Sequence, residues 1–537
     1  MLEKIRVRNY KAFEDATIPI KPITILLGAN SVGKSSIIQL LLLLQQTAKE
    51  DYKSYKSALK LWGGTVNLGD SKNLFRKHDT TNPLKITFSI INDEFGRYLT
   101  SLKHTFVNSF FEATHYFPIQ SLADIRLKYK KAENINDSKK FEDFINVFAS
   151  SLTKEHASRY ISSVNYIFSR HGLRINLDEL KDVKKLCRVY NFLENISKNV
   201  LITKEFDFYF KVAYKKNKLI LENFRIEHEQ KSLLGNEKKV LIGFRYNKNP
   251  EENHIFSDHT KFSTSEGTEI LNYFNESNTL FNCFTNNDDC KEKTSTIISY
   301  MVNVLIESLR YLKQDFSETA INYVSPLRAH PKRYYMLDKA KTNITLDTLD
   351  GDDVADVLKN NTQVTRSVNR WLEKFDLKIN VKEFKEVVHH LVVKQNEVDL
   401  DITDVGFGIS QVLPVIIQGF LSKNNSVTII EQPEIHLHPK MQADLADLFV
   451  DIVKLKGKKK LIIETHSEYI LKRLRKKIAK GEIKAEDVAI CSFYPQSNGK
   501  GAEIKSLDIA PKGYFEYPAD FYDDELFNDI TEYLINQ

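Results

Sequence analysis

Ile23-Thr24-Ile25-Leu26-Leu27-Gly28-Ala29-Asn30-Ser31-Val32-Gly33-Lys34-Ser35-Ser36 begins as an apolar run, passes two glycines, and leads into Ile37-Ile38-Gln39-Leu40-Leu41. An apolar run bounded by glycine reads as a buried strand, and the aliphatic stretch after it as a helix packed on that strand. Between them, Gly28, Gly33, Lys34 and Ser35 have the spacing of a phosphate cradle, in which backbone N–H groups and a helix N-terminus surround a polyphosphate. Each residue type has its own task. Gly28 and Gly33 permit unusual dihedrals and close backbone approach, Lys34 reaches the terminal phosphates, and the Ser35 hydroxyl can ligate Mg²⁺. Asn30 and Ser36 join them as expected nucleotide contacts, and ATP with Mg²⁺ is the expected ligand. The plainer alternative, a tight turn with an incidental lysine, leaves the strand before it and the helix after it unexplained.

The 537 residues exceed what one hydrophobic core usually organises, so two or more lobes are expected. Hydrophobic residues at 42% and charged residues at 28% are ordinary for a folded globular chain and exclude disorder by composition. The longest aliphatic block, residues 37–44, is too short to cross a bilayer. Met1-Leu2-Glu3-Lys4-Ile5-Arg6-Val7-Arg8 alternates apolar and charged residues and lacks the apolar core of a signal peptide, which implies a cytoplasmic protein with no membrane partner. The four cysteines, Cys187, Cys283, Cys290 and Cys491, form no CxxC pair or Cys/His cluster and read as free thiols. A net charge of +6 is mild for this length, so any nucleic-acid contact must come from a local patch.

Residues 2–9 and 14–20 read as strands, as does Leu84-Lys85-Ile86-Thr87-Phe88-Ser89-Ile90, which gives an α/β pattern to about residue 95. Glycine then becomes scarce and helical periodicity takes over, notably at 141–168 and 295–312, with a hairpin over 206–226 turning near Lys215-Lys216-Asn217. The expected organisation is therefore an N-terminal ATPase part over 1–95, an inserted and mainly helical lobe over 96–320, and a C-terminal ATPase part over 321–537. No heptad or fixed-period repeat runs through the lobe. The α/β pattern resumes at Ile321-Asn322-Tyr323-Val324, followed by a helix over 364–375 and a strand-rich piece over 377–400.

Three more motifs lie in the last third. Asp404-Val405-Gly406-Phe407-Gly408-Ile409-Ser410-Gln411 opens the apolar helix 412–420, and its exposed N–H donors suit a phosphate arriving from another subunit; alone, it also reads as an ordinary glycine loop. Val427-Thr428-Ile429-Ile430 is a buried strand that ends in Glu431-Gln432-Pro433-Glu434, which places carboxylates where a cation and a water could be held. His436 and His438 follow in a turn without a third ligand, which speaks against zinc. Lys460-Leu461-Ile462-Ile463-Glu464-Thr465-His466-Ser467 repeats the strand-then-polar-turn form, and His466 can hydrogen-bond a γ-phosphate.

Phosphate loop, glycine/serine signature, acidic strand end and histidine, in that order and split by a large insert, resemble the ABC-type P-loop ATPase heads of the SMC, RecF and OLD kind. Arg8-Asn9-Tyr10-Lys11-Ala12-Phe13 is similar to the N-terminal strand-loop of such heads, and adds Lys11 to the expected nucleotide contacts. Ser325-Pro326-Leu327-Arg328, His436-Leu437-His438-Pro439, Gly513-Tyr514-Phe515 and Pro518-Ala519-Asp520-Phe521 narrow the resemblance to the PtuA family, ATPases of Septu antiphage systems, in its retron-associated form. The fold implied is α/β with a mixed sheet and an inserted lobe. The family implies a head-to-head homodimer with nucleotide between the phosphate loop of one copy and Gly406, Gly408, Ser410 and Gln411 of the other. It also implies an HNH nuclease partner of the PtuB kind and, in the retron version, a reverse transcriptase with its RNA-linked DNA. Ser35 and Glu431 then hold the metal and His466 senses the γ-phosphate.

One position departs from the pattern: Gln432 stands where such heads carry the glutamate that polarises water. Glutamine orients water but accepts no proton, so slow hydrolysis is expected unless Glu434 substitutes. A DNA-repair clamp of the RecF/SMC kind, without a toxic effector, is the second reading; a transporter ATPase is disfavoured by the insert. Residues 467–537 are too few for the metal-dependent nuclease domain that OLD proteins append. Asp350-Gly351-Asp352-Asp353 and Asp523-Asp524-Glu525 read as a solvated loop and a helix start, so no nuclease site is expected on this chain. The basic run Lys454, Lys456, Lys458, Lys459, Lys460, Lys472, Arg473, Arg475, Lys476, Lys477 and Lys480 reads first as a solvated face and second as a nucleic-acid contact.

Overall fold

Strand β3 (Ile23–Gly28) is buried on both faces because parallel strands lie to either side of it and helices cover the sheet. A computed structural model describes residues 1–50, 56–151, 166–168, 182–200, 205–232, 235–246, 254–285, 296–336, 346, 353–385, 388–496 and 501–517. It divides into two compact units, Met1–Gln45 with Asp315–Gln537, and Gln46–Gln314.

In the first unit β3 is joined by β1 (Leu2–Tyr10), β2 (Phe13–Pro19), β4 (Ile321–Val324), β5 (Val427–Glu431), β6 (Lys460–Glu464), β7 (Val488–Pro495) and β8 (Ala502–Leu507). Their order is β1-β2-β8-β7-β3-β6-β5-β4. The stretch from β7 to β4 is parallel, and β1/β2 and β7/β8 are antiparallel, so the sheet is mixed and the expected α/β fold is borne out. Four helices matter to the site: α1 (Lys34–Lys49), α2 (Phe407–Leu421), α3 (Pro439–Lys454) and α4 (Glu468–Ala479). Ile25, Ile430 and Ile463 from the strands share one core with Val412, Ile416, Leu445, Phe449 and Leu471 from the helices. The polar residues between strand and helix act as caps: the His438 ring accepts from the Lys440 N–H at 3.3 Å ahead of Pro439 at the first helical position, and Ser467 Oγ accepts from the Ile470 N–H at 3.3 Å. His438 thus has a capping role.

The second unit holds an antiparallel meander of Leu84–Ile91, Glu205–Lys215, Lys218–Ser232, Gly235–Arg245 and His254–Phe256. It also holds helices that include Asp93–Ala113, Ser138–Ser151 and Val183–Val200, with a ring-on-ring core of Phe106, Phe110, Phe141 and Phe148. Two expectations need correction. The break between units falls at Gln45/Gln46 rather than near residue 95, because Leu84–Ile91 pairs along its whole length with Glu205–Lys215. The lobe also carries more sheet than a single hairpin, since Gly235–Arg245 adds a strand whose lysine-rich first half hides the alternation. The hairpin turn lies where expected, with Lys216 and Asn217 at φ of 49° and 60°. Residues 152–165, Cys290, Asp350-Gly351-Asp352, Pro518-Ala519-Asp520-Phe521 and Asp523-Asp524-Glu525 lie outside the described residues. No helix among the described residues is long and apolar enough to cross a membrane.

Much of the basic run has a structural use. Lys459 Nζ donates to the Gly419 and Phe420 carbonyls at 3.2 and 3.0 Å, and Lys460 Nζ donates to the Leu2 and Ile20 carbonyls, both at 2.8 Å. Arg473 forks onto Asp447 at 2.9 and 2.6 Å, Lys477 bridges Asp447 and Glu482, and Lys472 pairs with Glu468. Arg475 lies over three rings, Tyr514, Phe515 and Tyr517, at 5.2, 5.3 and 5.6 Å. These pairings employ the named cations within the fold, and Lys459 and Lys460 are buried rather than part of a solvated face. Arg475→Ala should cost about 1 kcal/mol by chemical denaturation and open residues 513–517 to limited proteolysis; unchanged protease resistance would mean that the rings hold this segment without the guanidinium.

Candidate functional site

Gly28 ends β3 at φ +136°, and a Cβ there would sit 2.5 Å from the Phe493 carbonyl oxygen, so the neighbouring strand β7 leaves room only for glycine. The chain then turns outward through Ala29, Asn30 and Ser31, all exposed, and re-enters at Gly33, φ +106°, to start α1 at Lys34. Ser35 is exposed on the first turn and Ser36 half-buried, its carbonyl accepting from Tyr10 Oη at 3.0 Å. Lys11, at φ 45°, lies against α1 with its amine on the Gln39 side chain, and burial pulls its pKa down.

Lys34 is only 3% exposed and folds back on the loop: Nζ donates to the Gly28 and Ala29 carbonyls at 2.9 and 2.8 Å. It also stands 3.6 Å from Glu464 Oε1. Burial lowers the lysine pKa, and Glu464 and Glu431 push it back up. In this arrangement a triphosphate would have to replace two neutral carbonyls and one carboxyl around one ammonium, which together carry less negative charge than the phosphates.

Strands β5 and β6 are in register, so their last residues, Glu431 and Glu464, end side by side. Tyr323 Oη donates to Glu431 Oε1 at 2.7 Å. Both carboxyls are pushed above the ordinary range, Glu431 by burial and Glu464 by burial and then by the charge of Glu431. Two carboxyls this close in a buried site hold one proton between them. Glu464 belongs to this acidic end although the sequence reading gave it no role. The signal was available, since Glu464 closes an apolar strand as Glu431 does.

Past the strand ends, Gln432 adopts φ +45°, and its N–H donates to the Glu464 carbonyl at 2.8 Å. Glu434 Oε1 accepts from the His466 N–H at 2.7 Å, while its Oε2 is buried and has no hydrogen-bond partner. Burial raises the Glu434 pKa. The His466 ring is exposed at the mouth of the site, and partial burial together with the charge of Lys34 holds it below the usual imidazole range. A neutral imidazole keeps one N–H to donate.

The donor set fits Mg²⁺. The Ser35 hydroxyl and the Glu431 and Glu464 carboxyls are hard oxygen ligands, and Glu464 Oε2 is buried without a hydrogen-bond partner. No group of three or more His, Cys, Asp or Glu side chains that could hold a metal occurs among the described residues. Mg²⁺ does not require one, because it keeps waters and takes phosphate oxygens from its nucleotide.

Around the signature, Gly406 precedes α2 as its N-cap, exposed, with no side chain capping the helix and open space around its Cα. Gly408 is half-buried, whereas Ser410 and Gln411 are buried inside their own protomer, Gln411 Nε2 donating to the Ala329 carbonyl at 3.4 Å. The residues at 406 and 408 thus reach the surface, whereas the side chains at 410 and 411 are buried.

No curated protein matches the chain. Among solved structures, the SMC head domain from Thermotoga maritima matches at 8% identity and a TM-score of 0.35, over 95% of this chain and 99% of that one. An SmcHead bound to the C-winged helix domain of ScpA matches at 10% identity and a TM-score of 0.37, over 95% of this chain and 98% of that one. An Smc head domain with an extended coiled coil, bound to the C-terminal domain of ScpA from Pyrococcus furiosus, matches at 10% identity and a TM-score of 0.33, over 100% of this chain and 99% of that one. The sequence profile of the AAA_15 family, described as AAA ATPase domain, matches residues 1–471, and with a phosphate loop and two acidic strand ends gathered at the carboxyl ends of adjacent parallel strands the chain belongs to that ATPase family.

Proposed function

We propose that the chain binds ATP with Mg²⁺ at this site, hydrolyses it slowly, and closes head to head on a second copy. The observation that carries this is the pairing of a complete phosphate loop with an uncapped, exposed helix start at Gly406 in the same unit. A helix start with free N–H groups is an anion site, and the anion it suits is a phosphate held by another copy's loop. In this reading Lys34 and the loop around Asn30 and Ser36 hold the triphosphate, with Lys11 beside them. Ser35 and Glu431 hold the cation, with Glu464 as the adjoining acid. Bound Mg²⁺ neutralises charge on the β- and γ-phosphates. Gln432 orients the attacking water and Glu434 is the nearby proton acceptor, while His466 donates to the γ-phosphate. Gly406 and Gly408 of the partner's helix start face the same nucleotide, and Ser410 and Gln411 shape that start from inside.

The biological setting proposed is control of a separate HNH nuclease of the PtuB kind in a retron-associated antiphage system, supported by the resemblance of the Ser325-Pro326-Leu327-Arg328 and His436-Leu437-His438-Pro439 stretches to that family. The nuclease chemistry is assigned to the partner. Molar mass measured by light scattering, with and without ATP and Mg²⁺, tests the dimer: a doubling with nucleotide is expected, and an unchanged monomer overturns it. Co-purification with an HNH protein encoded beside it tests the setting; a neighbourhood of replication or repair proteins would favour the clamp.

A further inference from the structure

Arg328 is 6% exposed, and its guanidinium reaches two parts of the site at once. Nη1 donates to the Gln411 carbonyl at 3.3 Å, in the first turns of α2; Nη2 donates to the Glu431 and Gln432 carbonyls at 2.8 and 3.2 Å. The last two carbonyls flank the α-carbon of Gln432, the residue in a left-handed conformation that a side chain disfavours. A planar fork bound on both sides fixes the orientation of that residue. The same two segments touch a second time: a Cβ on Gly408 would lie 2.9 Å from the His436 carbonyl oxygen. Burial draws the guanidinium down to about 10, so it stays charged at neutral pH, and Glu434 is the acid that favours the charge.

We infer that Arg328 is a positioning residue that fastens the start of α2 to the 431–434 turn, so that the helix start offered to a second copy and the turn that faces this copy's own nucleotide move as one piece. This rests on the dimeric ATPase reading for its consequence, but the fastening itself is a property of one chain. The buried fork is costly to keep, since a guanidinium loses its hydration on burial; bonds to three carbonyls of two segments give it a use that packing alone does not. Lysine does not replace it: a single ammonium on a flexible stem cannot span both segments in fixed geometry.

Hydrogen exchange of the full-length chain without nucleotide reads the fastening directly. In Arg328→Ala and Arg328→Lys, peptides over 406–411 and 431–437 should gain exchange together, by about tenfold (about 1.4 kcal/mol of local opening free energy), with β3 unchanged. Loosening of one segment without the other overturns the inference. Should the alanine variant fail to fold, the lysine variant decides. Steady-state kinetics supply the second readout: kcat should fall about tenfold with KM within about threefold of wild type, a split that general destabilisation would not give. Equal loss in kcat and affinity, or none in either, also overturns it. If the wild-type chain shows no ATP hydrolysis, the ATPase reading falls while the exchange result still decides the role of Arg328.

Discussion

Lys34→Ala should raise the Kd for ATP by about 10²–10³-fold, the loss expected when a charge-assisted contact of roughly 3–4 kcal/mol to phosphate disappears. The size of the effect follows from where the amine sits. It is the cation directly at the phosphate loop, 3% exposed, with the Gly28 and Ala29 carbonyls and Glu464 as its present partners. Those partners lose little when the amine goes, because Glu464 is already inclined to hold a proton. The apo variant should therefore unfold close to wild type while losing its response to nucleotide. In wild type, ATP at a hundred times Kd adds about 2.7 kcal/mol of stability; the variant at the same concentration should gain almost none. Thermal denaturation with and without ATP makes the comparison, and isothermal titration gives the affinity. A variant that keeps the ATP-dependent shift would remove Lys34 from the site and the loop from its function.

The loop was legible because its chemistry is local. A strand, two glycines and a lysine within fourteen residues leave few alternatives, and Gly28 occupies a place that any Cβ would close. The parallel core was legible for a similar reason: β3, β5 and β6 are short, largely apolar, and lead into polar turns. What escaped was set by pairing across the sheet. Glu464 acquires its character from the register that lays β6 beside β5, and no window of sequence holds both acids. Arg328 was visible only as part of a motif; its role depends on carbonyls far along the chain at 411, 431 and 432. The family resemblance implies that Ser410 and Gln411 face the other copy's nucleotide, but α2 starts at Phe407 and buries both side chains. The unit boundary is hidden for the same kind of reason, since 84–91 reads as a strand and only its full-length pairing with 205–215 ties it to the second unit.

Glu464→Gln should stabilise the apo chain at pH 8 and leave it unchanged near pH 4. The Glu464 carboxyl is held up to about 7 against an ordinary 4.5, by burial first and by Glu431 second. A raised carboxyl pKa means that the folded state keeps the proton longer than the unfolded chain does. Its contribution is therefore whole below pH 4.5, is lost as pH climbs from 4.5 to 7, and stays lost above. Glutamine has no proton to lose, so the variant should gain up to about 3 kcal/mol over wild type at pH 8 by urea denaturation, the gap closing toward pH 4. Glu431→Gln relieves the same repulsion, and its amide oxygen still accepts from Tyr323; the double variant should therefore gain clearly less than the sum of the two. Strict additivity would mean that the carboxyls do not share a proton, and a loss of stability at pH 8 would mean that Glu464 is ionised and held by Lys34. Turnover should move the other way, falling about a hundredfold in either single variant, because in the proposed site the same carboxyl oxygens would hold the cation. If both results hold, the pair weakens the fold above pH 7 and serves the reaction, the pattern of residues kept for chemistry at the expense of stability.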